Sequence, residues 1–144
     1  MNSIVYLIPA FGVIGLIFMV IKAGWVSKQD AGNDRMREIS DAIADGALAF
    51  LKAEWRVLGI FGVVVAGLLA WSGTLVESSN WLIGVAFIIG AVTSAFAGYI
   101  GMNIATKANV RTAQAAKTSL KDALNVSFNG GSVMGLGVAG LAVL

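Results

Sequence analysis

Two groups of side chains in this chain have the type and spacing for chemistry. Asp41 and Asp45 stand four residues apart, so on a helix they share one face. Such a carboxylate pair can hold a metal or a substrate, and it is equally an ordinary solvated helix surface. Lys107, Arg111, Lys117 and Lys121 fall within an arc of about 120° at 100° per helical residue. Ala113, Ala116, Leu120 and Leu124 lie opposite them. The basic arc suits anchoring to anionic headgroups, or an electrostatic approach surface for an anionic substrate. With no Cys and no His in the chain, thiolate and imidazole metal sites and Cys or His nucleophile–base pairs are excluded.

The glycine-rich strings carry less. Gly135-Leu136-Gly137-Val138-Ala139-Gly140 has the GxGxxG spacing, but a dinucleotide site needs a strand before it and a βαβ unit around it. Here the string sits in an apolar stretch and reads as helix packing. Asn129-Gly130-Gly131-Ser132 lacks the Lys of a phosphate-binding loop. Asn125-Val126-Ser127 fits a glycosylation acceptor but falls on the expected cytoplasmic side. Thr93, Ser94, Asn103 and Thr106 are the polar groups of one apolar stretch, and such groups usually bond to backbone or to neighbouring helices.

The elements that position these residues follow from where charge is absent. Of the 144 residues, 58% are hydrophobic and only 12% charged. Soluble domains carry about 25% charge, so a soluble globular domain is excluded, and disorder with it. A net charge of +2 gives no case for nucleic acid. Twelve of the charges lie between Lys22 and Arg56, five between Lys107 and Asp122, and Glu77 stands alone. Residues 4–21, 57–76 and 78–106 are charge-free and long enough to cross a bilayer as helices. The first reads as an uncleaved span rather than a signal peptide, because it has no basic n-region and no small-residue cleavage site.

The expected fold class is therefore an all-α membrane protein. It has three transmembrane helices plus the start of a fourth, as part of a larger helix bundle. Residues 1–144 read as one transmembrane region with helices at about 4–25, 55–76, 81–105 and 128–144. The fourth is expected to be truncated, because Val133–Leu144 is too short an apolar run to span. All ten Lys and Arg fall within 22–56 and 107–121, so the positive-inside rule places the segments at about 26–54 and 106–125 in the cytoplasm and the N-terminus outside. Trp25, Trp55, Trp71 and Trp81 stand at expected helix ends, as an interfacial belt requires. Ile39, Ile43, Ala47, Phe50 and Leu51 mark an amphipathic helix running into the second span. Small residues at four-residue spacing form three ridges for close helix contact: Ala86, Gly90, Ser94 and Gly98; Ala97, Gly101 and Ala105; Gly131, Gly135 and Ala139.

Three stretches carry a family resemblance: EISDAIADGALAFLKAEWRVL (Glu38–Leu58), GYIGMNIATKANVRTAQAAK (Gly98–Lys117) and ALNVSFNGGSVMGLGVAGLAVL (Ala123–Leu144). In this order and spacing the chain resembles the N-terminal region of the membrane-bound, ion-translocating inorganic pyrophosphatases. The resemblance implies a much longer, many-helix parent that works as a homodimer. It implies hydrolysis of pyrophosphate with Mg²⁺ on the cytoplasmic side and outward movement of H⁺ or Na⁺, in a prokaryotic plasma membrane. It makes this segment outer scaffold, whose partners are the remaining helices of the parent and the lipid bilayer. The family's catalytic stretch is of the DVGADLVGK type and does not occur here. No catalytic, cofactor-binding or metal-binding residue is therefore assigned. Mg²⁺ is expected for the full-length enzyme and not on this segment, and the segment alone is expected to be inactive. The alternative from composition alone is a small self-contained membrane subunit acting in helix–helix assembly.

Overall fold

The structure is a computed structural model that describes residues 4–76 and 79–144, with side-chain environments from Leu7 onward. Met1–Ser3 at the N-terminus and Glu77 in the loop after the second span lie outside the described residues. Four helices follow in order: α1 (Ile4–Ser27), α2 (Asp34–Leu75), α3 (Leu82–Ala116) and α4 (Leu120–Val143). All four are long and apolar enough to cross a membrane. Lipid supplies no hydrogen-bond partners, so these apolar runs close their backbone bonds internally.

The helices extend well beyond the charge-free runs. α2 has 42 residues, about 63 Å at 1.5 Å per residue, or twice the hydrocarbon thickness of a bilayer. Its amphipathic half and its membrane span are one continuous helix. Two local devices start it. Gly32 takes a left-handed φ of +80°, which only glycine adopts without strain. The Asn33 side chain then accepts from Met36 N at 3.0 Å and caps the first turn.

The stretch from Lys107 to Asp122 is not one helix. α3 ends at Ala116, and Ser119 starts α4. Ser119 Oγ accepts from Asp122 N at 3.1 Å and donates to Asp122 Oδ2 at 2.7 Å. This local capping pair outweighs continuation of the helix. The basic arc is thereby divided: Lys107 and Arg111 lie on α3, Lys117 in the turn, and Lys121 on α4. Leu120 and Leu124, which lie opposite the basic arc, are exposed. α4 also begins eight residues before the expected start at 128, because Asn125–Ser132 is helical. Its polar side chains bond within the helix: Asn129 Nδ2 to Asn125 O at 2.8 Å, and Ser132 Oγ to Asn129 O at 3.0 Å. At 24 residues, or about 36 Å, α4 is far longer than the twelve-residue apolar run.

α3 contacts both α2 and α4, and α1 packs on α4 and also touches α3 near its end. Met19 and Val26 of α1, Ile104 and Ala108 of α3, and Val133 of α4 form the shared core. The helices meet through small residues. A Cβ on Gly84 would come within 2.6 Å of the Ala66 carbonyl oxygen of α2. On α4, Gly130 faces Ala108 Cβ, and Gly140 meets the Gly12 carbonyl oxygen of α1. Of the three ridges, the one through Ala97 and Gly101 is buried against α4. Ala86, Gly90 and Ser94 are exposed. The third ridge is replaced: Gly131, Gly135 and Ala139 are exposed, while Val126, Gly130, Val133, Gly137 and Gly140 are buried. A four-residue repeat drifts about 40° per step around a helix, whereas alternating steps of four and three hold one contact line.

Candidate functional site

The polar chemistry gathers where α1 ends, α2 begins and α3 nears its end. A cavity of about 440 Å³ lies there, lined by Gln29, Asp30, Ala31, Arg37, Ser40, Asp41, Lys107, Val110 and Arg111. Arg111 holds the corner together. Its Nε donates to Gln29 O at 3.0 Å, Nη2 to Ser27 O at 3.1 Å and Nη1 to Lys107 O at 2.9 Å. A guanidinium on these carbonyls satisfies acceptors that the end of α1 leaves open, and it complements the negative end of the helix dipole.

Asp30 organises the turn that follows. Its Oδ1 accepts from Gly32 N at 2.9 Å and its Oδ2 from Gln114 Nε2 at 3.0 Å. These two bonds, the backbone one first, hold its pKa below the usual carboxylate value, and the positive charges of Arg37 and Lys117 add to the effect. Donation to Asp30 turns the Gln114 Oε1 inward, where it is buried without a partner among the described residues. Lys117 Nζ reaches Met36 Sδ at 3.2 Å, tying the end of α3 to the start of α2.

The candidate carboxylates separate. Asp41 lines the cavity and Asp45 does not, and both side chains are exposed. Among the described residues there is no group of three His, Cys, Asp or Glu placed to hold a metal. Mg²⁺ takes near-octahedral oxygen ligands from one or two carboxylates plus substrate phosphates and water. An exposed pair with one member turned away from the cavity does not fit it, so no metal step is derived for this chain.

The hydroxyls of the third span bond locally. Thr93 Oγ1 donates to Gly90 O at 2.9 Å, and Thr106 Oγ1 to Asn103 O at 3.0 Å. The GxGxxG string lies within α4, where Gly137 and Gly140 pack against Met19 and Leu16 of α1. One pairing has no signal in the local sequence: Lys22 Nζ donates to Asn129 Oδ1 at 2.6 Å, joining α1 to α4 across 107 residues. The only hint is that Lys22 is the first charge after an apolar run and Asn129 a polar residue in a charge-free one.

Residues 13–144 match the family described as inorganic H⁺ pyrophosphatase. A putative K⁺-stimulated pyrophosphate-energized sodium pump of Clostridium tetani is 51% identical over 135 residues, which is 94% of this chain and 19% of the relative. A K⁺-insensitive pyrophosphate-energized proton pump of Methanosarcina mazei is 40% identical over 144 residues, covering all of this chain and 21% of the relative. A K⁺-stimulated pyrophosphate-energized sodium pump of Thermotoga maritima is 43% identical over 144 residues, covering 99% of this chain and 19% of the relative. The chain thus spans about a fifth of the length of the curated relatives it matches. The match covers nearly all of the four-helix unit, and the chain belongs to the inorganic H⁺ pyrophosphatase family.

Proposed function

We propose that these four helices are outer scaffold in a pyrophosphate-driven ion pump. In that pump, Mg²⁺-dependent hydrolysis of inorganic pyrophosphate drives H⁺ or Na⁺ out of the cytoplasm. The carrying observation is the near-complete alignment of this chain with relatives that are all named as pyrophosphate-energized pumps. The names divide between sodium and proton, so the ion is left as either. In our reading the cavity end faces the cytoplasm of a prokaryotic cell and the N-terminus lies outside, as the basic segments require. The partners are the remaining helices of the parent, a second copy of that parent and the surrounding bilayer.

The scaffold role is supported by what the polar side chains do. Arg111, Asp30, Gln114 and Lys22 are engaged in holding helices and turns together. Stabilising a phosphoryl-transfer step requires metal and basic clamps aimed at the developing charge. The test is a chimera in which this chain replaces the aligned segment of the Clostridium tetani relative. The chimera should retain pyrophosphate hydrolysis and ion transport in liposomes, while the 144-residue chain alone shows neither. A chimera that inserts correctly and has neither activity overturns the pump reading. Hydrolysis above background by the chain alone overturns the scaffold role.

A further inference from the structure

Two helix faces that carry cations line the cavity at the polar corner. α2 contributes Arg37 and Asp41, and α3 contributes Lys107 and Arg111, each pair four residues apart and so on one face. Arg111 uses three of its five N–H groups on the carbonyl oxygens of Ser27, Gln29 and Lys107, which fixes the guanidinium and leaves two donors free. The side chains of Arg37 and Lys107 have no hydrogen-bond or ion-pair partner among the described residues. The ion pair among those residues joins Arg35 to Glu38, outside the lining.

The two carboxylates of the lining differ. Asp30 accepts from Gly32 N and from Gln114 Nε2. Asp41 accepts from no group among the described residues. Three cations against these two carboxylates leave the lining net positive, and its volume of about 440 Å³ falls in the range of small-ligand sites. The bonds of Arg111 and Asp30 tie the end of α1, the turn before α2 and the end of α3 together, so this corner is ordered before anything binds. A donor-rich, net positive lining fits an oxyanion. The Asp41 carboxylate narrows the choice, because it accepts only from a ligand that carries a proton. Hydrogen phosphate has a P–OH to donate. Sulfate and a phosphodiester have none, and each would set a bare oxygen against the carboxylate.

We propose that the cavity binds one inorganic phosphate, whose oxygens accept from Arg37, Lys107 and Arg111 while its P–OH donates to Asp41. The cations supply the affinity, and Asp41 supplies the choice between phosphate and other tetrahedral anions. The site stands whether or not the pump reading holds, because binding to this chain is measured apart from any hydrolysis or transport.

The test is isothermal titration calorimetry of the 144-residue chain in micelles of an uncharged detergent, at low salt and mildly alkaline pH. Inorganic phosphate and sulfate are then both tetrahedral dianions and differ by one proton. Phosphate should bind saturably, one per chain, and sulfate about tenfold more weakly or worse. Asp41→Asn should remove that preference. Arg37→Gln and Lys107→Gln should each lower phosphate affinity about tenfold. Lys121→Gln, an exposed cation on α4 outside the lining, should leave it unchanged. Equal binding of phosphate and sulfate by the wild-type chain, or no saturable phosphate binding, overturns the proposal, and neither reading needs a variant to fold. Dimethyl phosphate, which carries the diester of a lipid headgroup, overturns it if it binds as tightly as phosphate. Unchanged phosphate affinity in both cation variants overturns it as well.

Discussion

Gly130 and Gly131 are neighbours in sequence and opposites in environment. A Cβ on Gly130 would stand 2.6 Å from the Ala108 methyl of α3, whereas a Cβ on Gly131 would meet nothing within 4 Å. Reaching ordinary contact at 3.4 Å requires α3 and α4 to separate by about 0.8 Å at a point where neither neighbour is a flexible side chain. Overpacking of this kind costs about 1–3 kcal/mol. Replacing a helical glycine by alanine contributes up to about 1 kcal/mol at either position. That gain cancels in the comparison, so Gly130→Ala should be less stable than Gly131→Ala by about 1–3 kcal/mol. The assay is denaturant unfolding of the purified chain in detergent micelles, followed by far-UV circular dichroism. Ala108→Gly added to Gly130→Ala should recover most of the loss, with a coupling energy of about 1 kcal/mol or more. If Gly131→Ala costs as much as Gly130→Ala, or Ala108→Gly fails to rescue, α4 does not present Gly130 to α3. The described packing would then be refuted in favour of the Gly131–Gly135–Ala139 ridge.

Two further predictions follow from the polar corner. Arg111→Gln removes the charge-assisted bonds to Ser27 O and Gln29 O and should destabilise the end of α1 by about 1–3 kcal/mol, read by hydrogen exchange at residues 24–30. Uniform protection in wild type and variant would contradict the clamp. Asp30 has a folded-state pKa below its unfolded value of about 3.9, so its contribution is fully present above that value and lost as pH falls through the folded one. The Asp30–Gln114 turn should therefore open only at a pH below about 4, observable by titration of the Gly32 amide resonance. The Asp30→Asn variant should lack that step. Opening near neutral pH would contradict the assignment.

The membrane helices were legible because lipid imposes a rule that needs no tertiary context. A charge-free run of about twenty residues must close its own backbone bonds, and residues 4–21, 57–75 and 82–106 do so within α1, α2 and α3. The amphipathic pattern through Ile39 and Leu51 likewise signalled a helix running into the second span, and α2 is continuous. The polar run Asn125–Ser132 was harder to read. Its Asn and Ser side chains suit turns as well as helices, and only the bonds to residues three and four earlier reveal the helix. The break at Ser119 was hidden for the converse reason, since one capping serine interrupts an otherwise unbroken amphipathic pattern.

Composition and charge position by themselves determined that this chain is a set of membrane helices with its basic residues at one end. Those properties are local, because each helix meets the bilayer residue by residue. Tertiary structure alone decided which glycines touch and which polar groups pair. Small residues recur on several faces of α3 and α4, so periodicity admits several contact lines, and only the neighbouring helix selects the one through Gly130, Gly137 and Gly140. Lys22 reaches Asn129 across 107 residues, and Arg111 reaches Ser27 across 84. Such partners meet only after the helices pack, when burial of the contact face has set the rotation of each helix about its own axis.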